Sequence, residues 1–324
     1  MKTYLITGGA GFIGSMLAKR LIESGHRVII IDDLSTGFSW NVPEGAVFHQ
    51  LSVCDKDALA VLQFPYSIDA VYHLAAQSSG EISFADPIHD IKVNYLATYN
   101  MLEWCQQKNI ERFIFASSMS VYGERPSGQE CVAENSDCEP ASYYGSNKLA
   151  SEKAIRIFSG RSKIKATSLR FFNVYGPGQN MNNMRQGMVS IYMAYLMKNE
   201  PVTVKGSFDR FRDFIFIDDL IDVLIQVETA PATFNQAFNV GCGMKTTVKQ
   251  LLEALLEVYG KKDFKAWVRQ EGQTPGDITG VIADTGKIQK ALRWTPRYDL
   301  KKGLLAMKSW AEATRNRWGT ECLK

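Results

Sequence analysis

Tyr144 and Lys148 stand four residues apart within 142–158, a stretch whose composition predicts a helix, so both side chains lie on one face. A free tyrosine has a pKa of about 10 and is a poor base at neutral pH. An ammonium beside it favours the phenolate, which would let the pair exchange a proton with a substrate hydroxyl. Ser117 and Ser118 close the apolar run 112–116, which predicts a strand and puts a hydroxyl at the carboxyl edge of a sheet. Tyr-x-x-x-Lys is common as an ordinary pair on helix surfaces. The case for chemistry rests on its combination with those serines and with what lies at the start of the chain.

That start, residues 2–33, has the order a dinucleotide site needs. The apolar strand Tyr4-Leu5-Ile6 runs into Thr7-Gly8-Gly9-Ala10-Gly11-Phe12-Ile13-Gly14. A helical run to Ser24 follows, then a second strand, Val28-Ile29-Ile30-Ile31, ending in Asp32. Glycines let the backbone turn sharply and approach a pyrophosphate, and a helix N-terminus offers unbonded N–H groups with a partial positive charge. Asp32, eighteen residues past Gly14, suits the hydroxyls of an adenosine ribose. Its carboxylate repels a 2′-phosphate, which favours NAD over NADP.

Strands and helices alternate onward. Short runs predict a strand at 46–51 and a helix at 56–64, and Ala70-Val71-Tyr72-His73-Leu74-Ala75-Ala76 is a buried parallel strand running into small residues. A long helix is expected over 87–108 and a strand over 165–170. The tail adds a helix over 247–259 capped by Thr246 or Thr247, a strand near 265–269, and helices at 285–292 and 300–318. This is the pattern of a Rossmann-type, doubly wound parallel α/β sheet beside a smaller mixed α/β substrate domain. The expected division is 1–176 plus 214–241 for the sheet and 177–213 plus 242–324 for the smaller unit. His73, Trp104 and Trp267 are expected to pack in the core.

Bulk properties narrow the class. A chain of 324 residues, 45% apolar and 22% charged, suits a globular protein of two domains or one enlarged domain. Its formal charge of +3 is too small to argue for nucleic acid. Six cysteines without a C-x-x-C pair, and only four histidines, argue against a metal site and for reduced thiols in a cytoplasmic protein. No apolar run is long enough to predict a membrane span, and glycines interrupt the N-terminal apolar segment too early for a signal peptide.

Further motifs complete a family pattern. Besides Thr7-Gly8-x-x-Gly11-x-x-Gly14 there are Asp32-Asp33-Leu34-Ser35-Thr36-Gly37, His73-Leu74-Ala75-Ala76, Asn94 and Ser117-Ser118-x-x-Val121-Tyr122-Gly123. After Tyr144-x-x-x-Lys148 come Arg170-Phe171-Phe172-Asn173-Val174-Tyr175-Gly176-Pro177, Arg212-Asp213-Phe214-Ile215 and Pro275-Gly276-Asp277. In this order they resemble the extended short-chain dehydrogenases/reductases, and within them the NAD-dependent nucleotide-sugar epimerases and dehydratases. The resemblance implies that Ser118, Tyr144 and Lys148 react. It implies NAD contacts from Gly8, Gly11, Phe12, Ile13, Gly14, Asp32, Asp33, Ser35, Thr36, Gly37, Ser52 and Val53. Leu74, Ala75, Ala76, Asn94, Ser117 and Phe172, with Tyr144 and Lys148 again, complete that set. A nucleoside-diphosphate sugar would meet Gln77, Ser78, Ser118, Asn173, Val189, Arg210, Arg212 and Asp277. Members of this kind pair through two long helices per subunit, so a homodimer is expected.

Departures from the pattern sharpen the function. Dehydratases of this family follow the reactive Ser or Thr with an Asp-Glu pair; here Met119 and Ser120 stand there, and neither does acid/base work. Ser52, Glu81 and Thr274 occupy places where relatives carry an Asp, a basic residue and an Arg, with Arg210 or Arg269 available to substitute. The resemblance therefore implies 4-epimerisation of a UDP-hexose through a 4-keto intermediate. A nucleotide-sugar reductase, an epimerase at another carbon or on a GDP, CDP or dTDP sugar, and a non-catalytic NAD-binding regulator are the alternatives.

Overall fold

Apolar, β-branched runs build the sheet. In β1 (Thr3–Thr7) and β2 (Arg27–Asp32), Leu5, Ile6, Val28, Ile29, Ile30 and Ile31 have no exposed surface, as suits strands covered on both faces. The computed structural model describes residues 1–272 and 278–318. Among them, five further strands complete one sheet: β3 (Val47–Gln50), β4 (Ala70–His73), β5 (Arg112–Ser118), β6 (Lys165–Phe171) and β7 (Gln236–Val240). The order is β7-β6-β5-β4-β1-β2-β3, with every neighbouring pair parallel. This is the Rossmann-type α/β fold expected from the alternation. The chain order reverses between β1 and β4, and in such sheets ligands bind outside the carboxyl ends of the strands at that reversal.

Successive side chains feed opposite faces. On one face Tyr4, Ile6, Val28, Ile30 and Tyr72 pack with Leu17 and Leu21 of α1 (Phe12–Glu23). On the other, Leu5, Ile29, Ile31, Val71, Phe113 and Phe115 pack with Met101, Leu102 and Trp104 of α2 (Ala97–Gln107). Each such buried side chain contributes about 1.5–3 kcal/mol relative to exposure, so the strand ends that hold functional groups rest on a rigid base. His73 is buried on β4, as expected, and hydrogen-bonds Thr7 Oγ1 at 2.8 Å and Thr98 Oγ1 at 3.1 Å.

Some elements differ locally from expectation. The helix expected over 56–64 ends at Ala60 (Lys56–Ala60), and Pro65 beyond it biases its predecessor away from helical geometry. Where a strand was expected over 265–269, the Asp263 carboxylate accepts from Lys265 N and Ala266 N, capping a helical turn, Phe264–Trp267. The strand follows as Val268–Glu271. Thr247, not Thr246, caps the helix Val248–Val258, in a reciprocal capping box with Gln250. The long helix expected over 87–108 is continuous but not uniform. It runs as Pro87–Asp90, a π-helical turn Ile91–Leu96, and α2. Wide turns of this kind are frequent at functional sites, and Asn94 lies in this one.

Short parallel pairs stand outside the sheet: Asn173–Tyr175 with Phe214–Phe216, Val202–Lys205 with Val268–Glu271, and Cys131–Val132 with Ile282–Ala283. The last pair ties the loop after β5 to the C-terminal part of the chain. Val121, Tyr122, Val132, Phe172, Val281 and Ala283 form a third apolar cluster behind it. No helix among the described residues is long and apolar enough to cross a membrane.

Candidate active site

The glycine-rich turn leaves no room for a side chain at Gly8 or Gly14. A Cβ on Gly8, at φ +72°, would sit 2.7 Å from Ala75 N, and one on Gly14 would sit 2.2 Å from Gly8 O. Helix α1 begins at Gly11 without a side-chain cap. The amides of Phe12, Ile13 and Gly14 in its first turn therefore have no acceptor within the helix, and they suit a pyrophosphate. Asp32 closes the turn from the neighbouring strand, accepting from Ala10 N at 2.9 Å and from Leu34 N at 2.8 Å. Burial pushes its carboxyl above the usual range, against those two amides. Each oxygen retains a lone pair for a ribose hydroxyl.

The rest of the loop after β2 is arranged around this turn. Gly37 packs on Ala10, where a Cβ would approach its backbone to 2.9 Å. Phe38 N and Asn41 Nδ2 both donate to Ala10 O, at 3.1 Å each. Burial works to raise the Asp33 carboxyl, but hydrogen bonds from Ser35 and Ser52 outweigh it and hold the group below the usual range. Ser35 and Thr36 are exposed, whereas Val53 is buried in the core beneath β2. Across the turn, Leu74, Ala75 and Ala76 leave β4, with Ala75 N donating to Thr7 Oγ1 at 3.2 Å. A close backbone cradle, an uncapped helix start and a strand-end carboxylate together fit a dinucleotide.

Ser118, Tyr144 and Lys148 meet beside that cradle. Tyr144 and Lys148 lie on α3 (Tyr143–Ser159), which Ser142 caps by accepting from Gly145 N at 3.1 Å. Gly145 lets α3 press against the turn after β5, since a Cβ there would come 2.4 Å from Ser120 O. The Ser118 hydroxyl lies close enough to Tyr144 to work towards lowering its pKa. Ser118 Oγ donates to Ser120 Oγ and accepts from Ser120 N, both at 3.1 Å. Lys148 is buried, its Nζ donating to Ala116 O at 2.9 Å and lying 4.8 Å from the Phe115 ring centroid. In the protein alone the electrostatics run opposite to the expectation of a lowered tyrosine pKa. Burial pushes Tyr144 up to about 12, outweighing the Ser118 hydroxyl, and pulls Lys148 down to about 7. Both groups have lost water, and the Lys148 ammonium stands 5.9 Å from the Tyr144 ring centroid.

Other expected contacts are placed differently. Ser117 faces the opposite side of β5 from Ser118, and its hydroxyl donates to Glu152 Oε1. That takes its side chain out of the pocket and leaves its backbone. Gln77 is turned into a brace: its amide bonds Ser79 and Asp90, and its carbonyl accepts from Asn94 Nδ2 at 2.9 Å. Asn94 Oδ1 is buried and has no partner among the described residues, an acceptor suited to a ligand donor. Phe172 is buried in the third apolar cluster.

On the substrate side, Asn173 Oδ1 is likewise a buried acceptor without a partner among the described residues. Arg212 is 5% exposed, and its Nη1 donates to Phe211 O at 2.6 Å. Burial, with Arg210 close by, pulls its pKa down to about 10. Arg210 is half-buried and donates to Lys205 O and Ser207 O. Val189 is buried in the main core cluster. Ser78 is exposed and exchanges hydrogen bonds with Gln186, joining the loop after β4 to residues 177–187. Gly178 lies against Phe12, where a Cβ would sit 3.3 Å from the ring, so that segment borders the dinucleotide cradle. Glu81 is exposed in the first turn of Gly80–Ala85, and Arg269 is exposed on its strand. Thr274 and Asp277 lie outside the described residues.

Three contributors were missed. Ser120 bonds the Ser118 hydroxyl. Glu152, one turn beyond Lys148 on the same face, receives Ser117 and pairs with Arg170. Asp90 lies buried under the π turn. The four-residue spacing from Lys148 to Glu152 is the one signal that could have found any of them.

A strand-end dinucleotide cradle beside a Ser–Tyr–Lys set defines a nucleotide-dependent short-chain enzyme fold. The model of the NAD dependent epimerase/dehydratase family matches residues 4–241. The UDP-glucose 4-epimerase of Mycolicibacterium smegmatis is 30% identical over 93% of this chain and 95% of its own. Two solved structures are similar over the whole fold. The UDP-glucose 4-epimerase of Thermotoga maritima, with UDP-glucose, superposes with a TM-score of 0.91 at 32% identity, covering 97% of this chain and 99% of that one. That of Thermus thermophilus, in complex with NAD, gives 0.87 at 31% identity, covering 96% and 99%. The chain belongs to the NAD dependent epimerase/dehydratase family.

Proposed function

We propose that this protein interconverts the C4 epimers of a UDP-hexose, using NAD held throughout the cycle. The observation that carries the reading is Ser118 at the end of β5 beside Tyr144 and Lys148 on one face of α3, next to the dinucleotide cradle, with Met119 and Ser120 where a dehydratase needs two acids. When bound, NAD would supply a reversible two-electron acceptor for the C4 hydrogen. Tyr144 takes the proton of the C4 hydroxyl as the ketone forms and returns it when the alcohol is restored. Ser118 bonds the same oxygen in both steps. Lys148, braced on Ala116 O, orients the ribose and favours the phenolate. In the protein alone burial pushes the Tyr144 phenol up to about 12, so it is protonated there at neutral pH. No net oxidation results, so no cofactor is consumed.

We assign the dinucleotide to 1–176 plus 214–241 and the sugar nucleotide to 177–213 plus 242–324. Asn173, Arg210 and Arg212 are the diphosphate and nucleoside contacts that burial and charge support, with Arg212 suited to phosphate. Purified protein incubated with UDP-glucose, UDP-GlcNAc and UDP-glucuronate, without added cofactor, is expected to yield a C4 epimer of at least one. No epimer across UDP, GDP, CDP and dTDP sugars would sink the proposal.

We also propose a homodimer through the two long helical segments. Ile88, Leu96 and Tyr99 on 87–107 and Ile157 on α3 are 61%, 48%, 43% and 63% exposed, a run of large apolar side chains that a second copy would cover. Light scattering at micromolar concentration is expected to give twice the chain mass; a monomer would overturn the assignment.

A further inference from the structure

Asp90 is a buried charge that the proposed reaction does not use. Its side chain ends the helix Pro87–Asp90, is 0% exposed, and pairs with no Lys or Arg among the described residues. Two amides hold it: Gln77 Nε2 donates to Oδ2 and Asn147 Nδ2 to Oδ1, each at 2.7 Å. Asn147 immediately precedes Lys148, and Gln77 O receives the Asn94 amide. One carboxylate thus joins the loop after β4, the π turn and the start of the helix bearing Tyr144 and Lys148. Neutral donors relieve part of the cost of a buried anion, but a nearby cation relieves more.

Among the described residues two carboxylates act on Lys148, Asp90 and Glu152. Glu152, on the same helix, is committed to Arg170 at 2.7 Å. His73, from β4, is buried between two threonines and pushed down to about 3, so it is neutral. Tyr144 is a neutral phenol in the protein alone, and β5 presents the Ala116 carbonyl and the Phe115 ring. We propose that Asp90 is a positioning residue for the reaction, the buried counter-charge that keeps the Lys148 ammonium protonated and anchors the helical turn bearing Tyr144 and Lys148. This rests on the reading of Ser118, Tyr144 and Lys148 given above. Asp90 raises the Lys148 pKa against the burial that lowers it, and it raises the Tyr144 pKa as well, so its charge favours the protonated form of both groups.

The sign follows. Lys148 acts as an ammonium, so activity falls as pH rises through its pKa, and removing the Asp90 charge moves that fall to lower pH. The test is the pH profile of kcat with a UDP-hexose, measured on NAD-loaded protein. Asp90→Asn is expected to lose at least tenfold in kcat at pH 8, with KM little changed and its alkaline limb about one pH unit lower. Asn147→Ala, which keeps the charge and loses one donor, should lower kcat without moving the limb. An Asp90→Asn limb that overlays the wild type overturns the inference. Should that variant not fold, Asp90→Glu keeps the charge and is expected to keep the limb, and a displaced limb there overturns it equally. Wild-type protein that turns over no sugar nucleotide sinks the reading of the site and this inference with it. An unmoved limb in an active enzyme sinks the inference alone.

Discussion

Tyr144→Phe is expected to lower kcat for epimer formation by about 10²–10⁴-fold, the range of a positioned acid/base, while bound NAD and the melting temperature stay close to the wild type. Only the hydroxyl is removed, and the ring remains packed on α3 where Tyr144 is 8% exposed. Ser118 keeps its bonds to Ser120, so the pocket keeps its shape. Turnover of sugar nucleotide and NAD content, measured on the same preparation, separate the two effects. A variant retaining a tenth of wild-type kcat would remove Tyr144 from the reaction. One that lost NAD as well would make it a structural contact of the cofactor.

Arg170→Met is expected to be the most damaging change away from the reacting groups. Arg170 on β6 forks onto Glu152, with Nη2 2.7 Å and Nε 3.0 Å from its carboxylate oxygens, and both side chains are under 10% exposed. Its Nη1 donates to Tyr122 OH at 2.8 Å, and Tyr122 OH donates to Asn239 Oδ1 at 2.6 Å. Removing the guanidinium leaves Glu152 charged and unpaired in the interior, at a cost of about 3–5 kcal/mol. At roughly 2 °C per kcal/mol for a domain of this size, Tm should fall by about 5–10 °C. The double variant Arg170→Met/Glu152→Gln removes the stranded charge and should recover part of that loss. If the double variant melts no higher than the single one, the pair is not what holds the network. Activity should fall with stability, because Glu152 also receives the Ser117 hydroxyl at the end of β5.

The sheet and the meeting of Ser118, Tyr144 and Lys148 were legible because each rests on short-range chemistry. Apolar runs of strand length, glycines in a tight turn and a carboxylate at the next strand's end all specify their partners locally. Ser118, Tyr144 and Lys148 come together because a strand end and one helix face are enough to align them. What stayed hidden depends on register and on distant partners. Ser117 and Ser118 are identical in sequence, and only the pleat of β5 decides which one faces Tyr144. The resemblance implies a sugar-nucleotide contact at Gln77, and the structure adds bonds from its amide to Ser79 and to Asp90, thirteen residues from the latter. Asp90 sits in a stretch that reads as plain helix, and the π turn beyond it has no sequence marker. The lowered tyrosine pKa was inferred from Lys148 alone, without the desolvation that both groups share.

The adjacent serines of β5 also set where this chain tolerates insertions and deletions. Because side chains alternate along a strand, one residue gained or lost within Arg112–Ser118 would exchange the anchor for Glu152 with the hydroxyl beside Tyr144. No point substitution compensates such a slip, since it also moves Phe113 and Phe115 from one packed face of the sheet to the other. From about Glu124 to Gln129, where the chain is largely exposed, length changes move neither serine. Homologues or designed variants should therefore differ freely in the length of that loop and keep the length of β5 without exception.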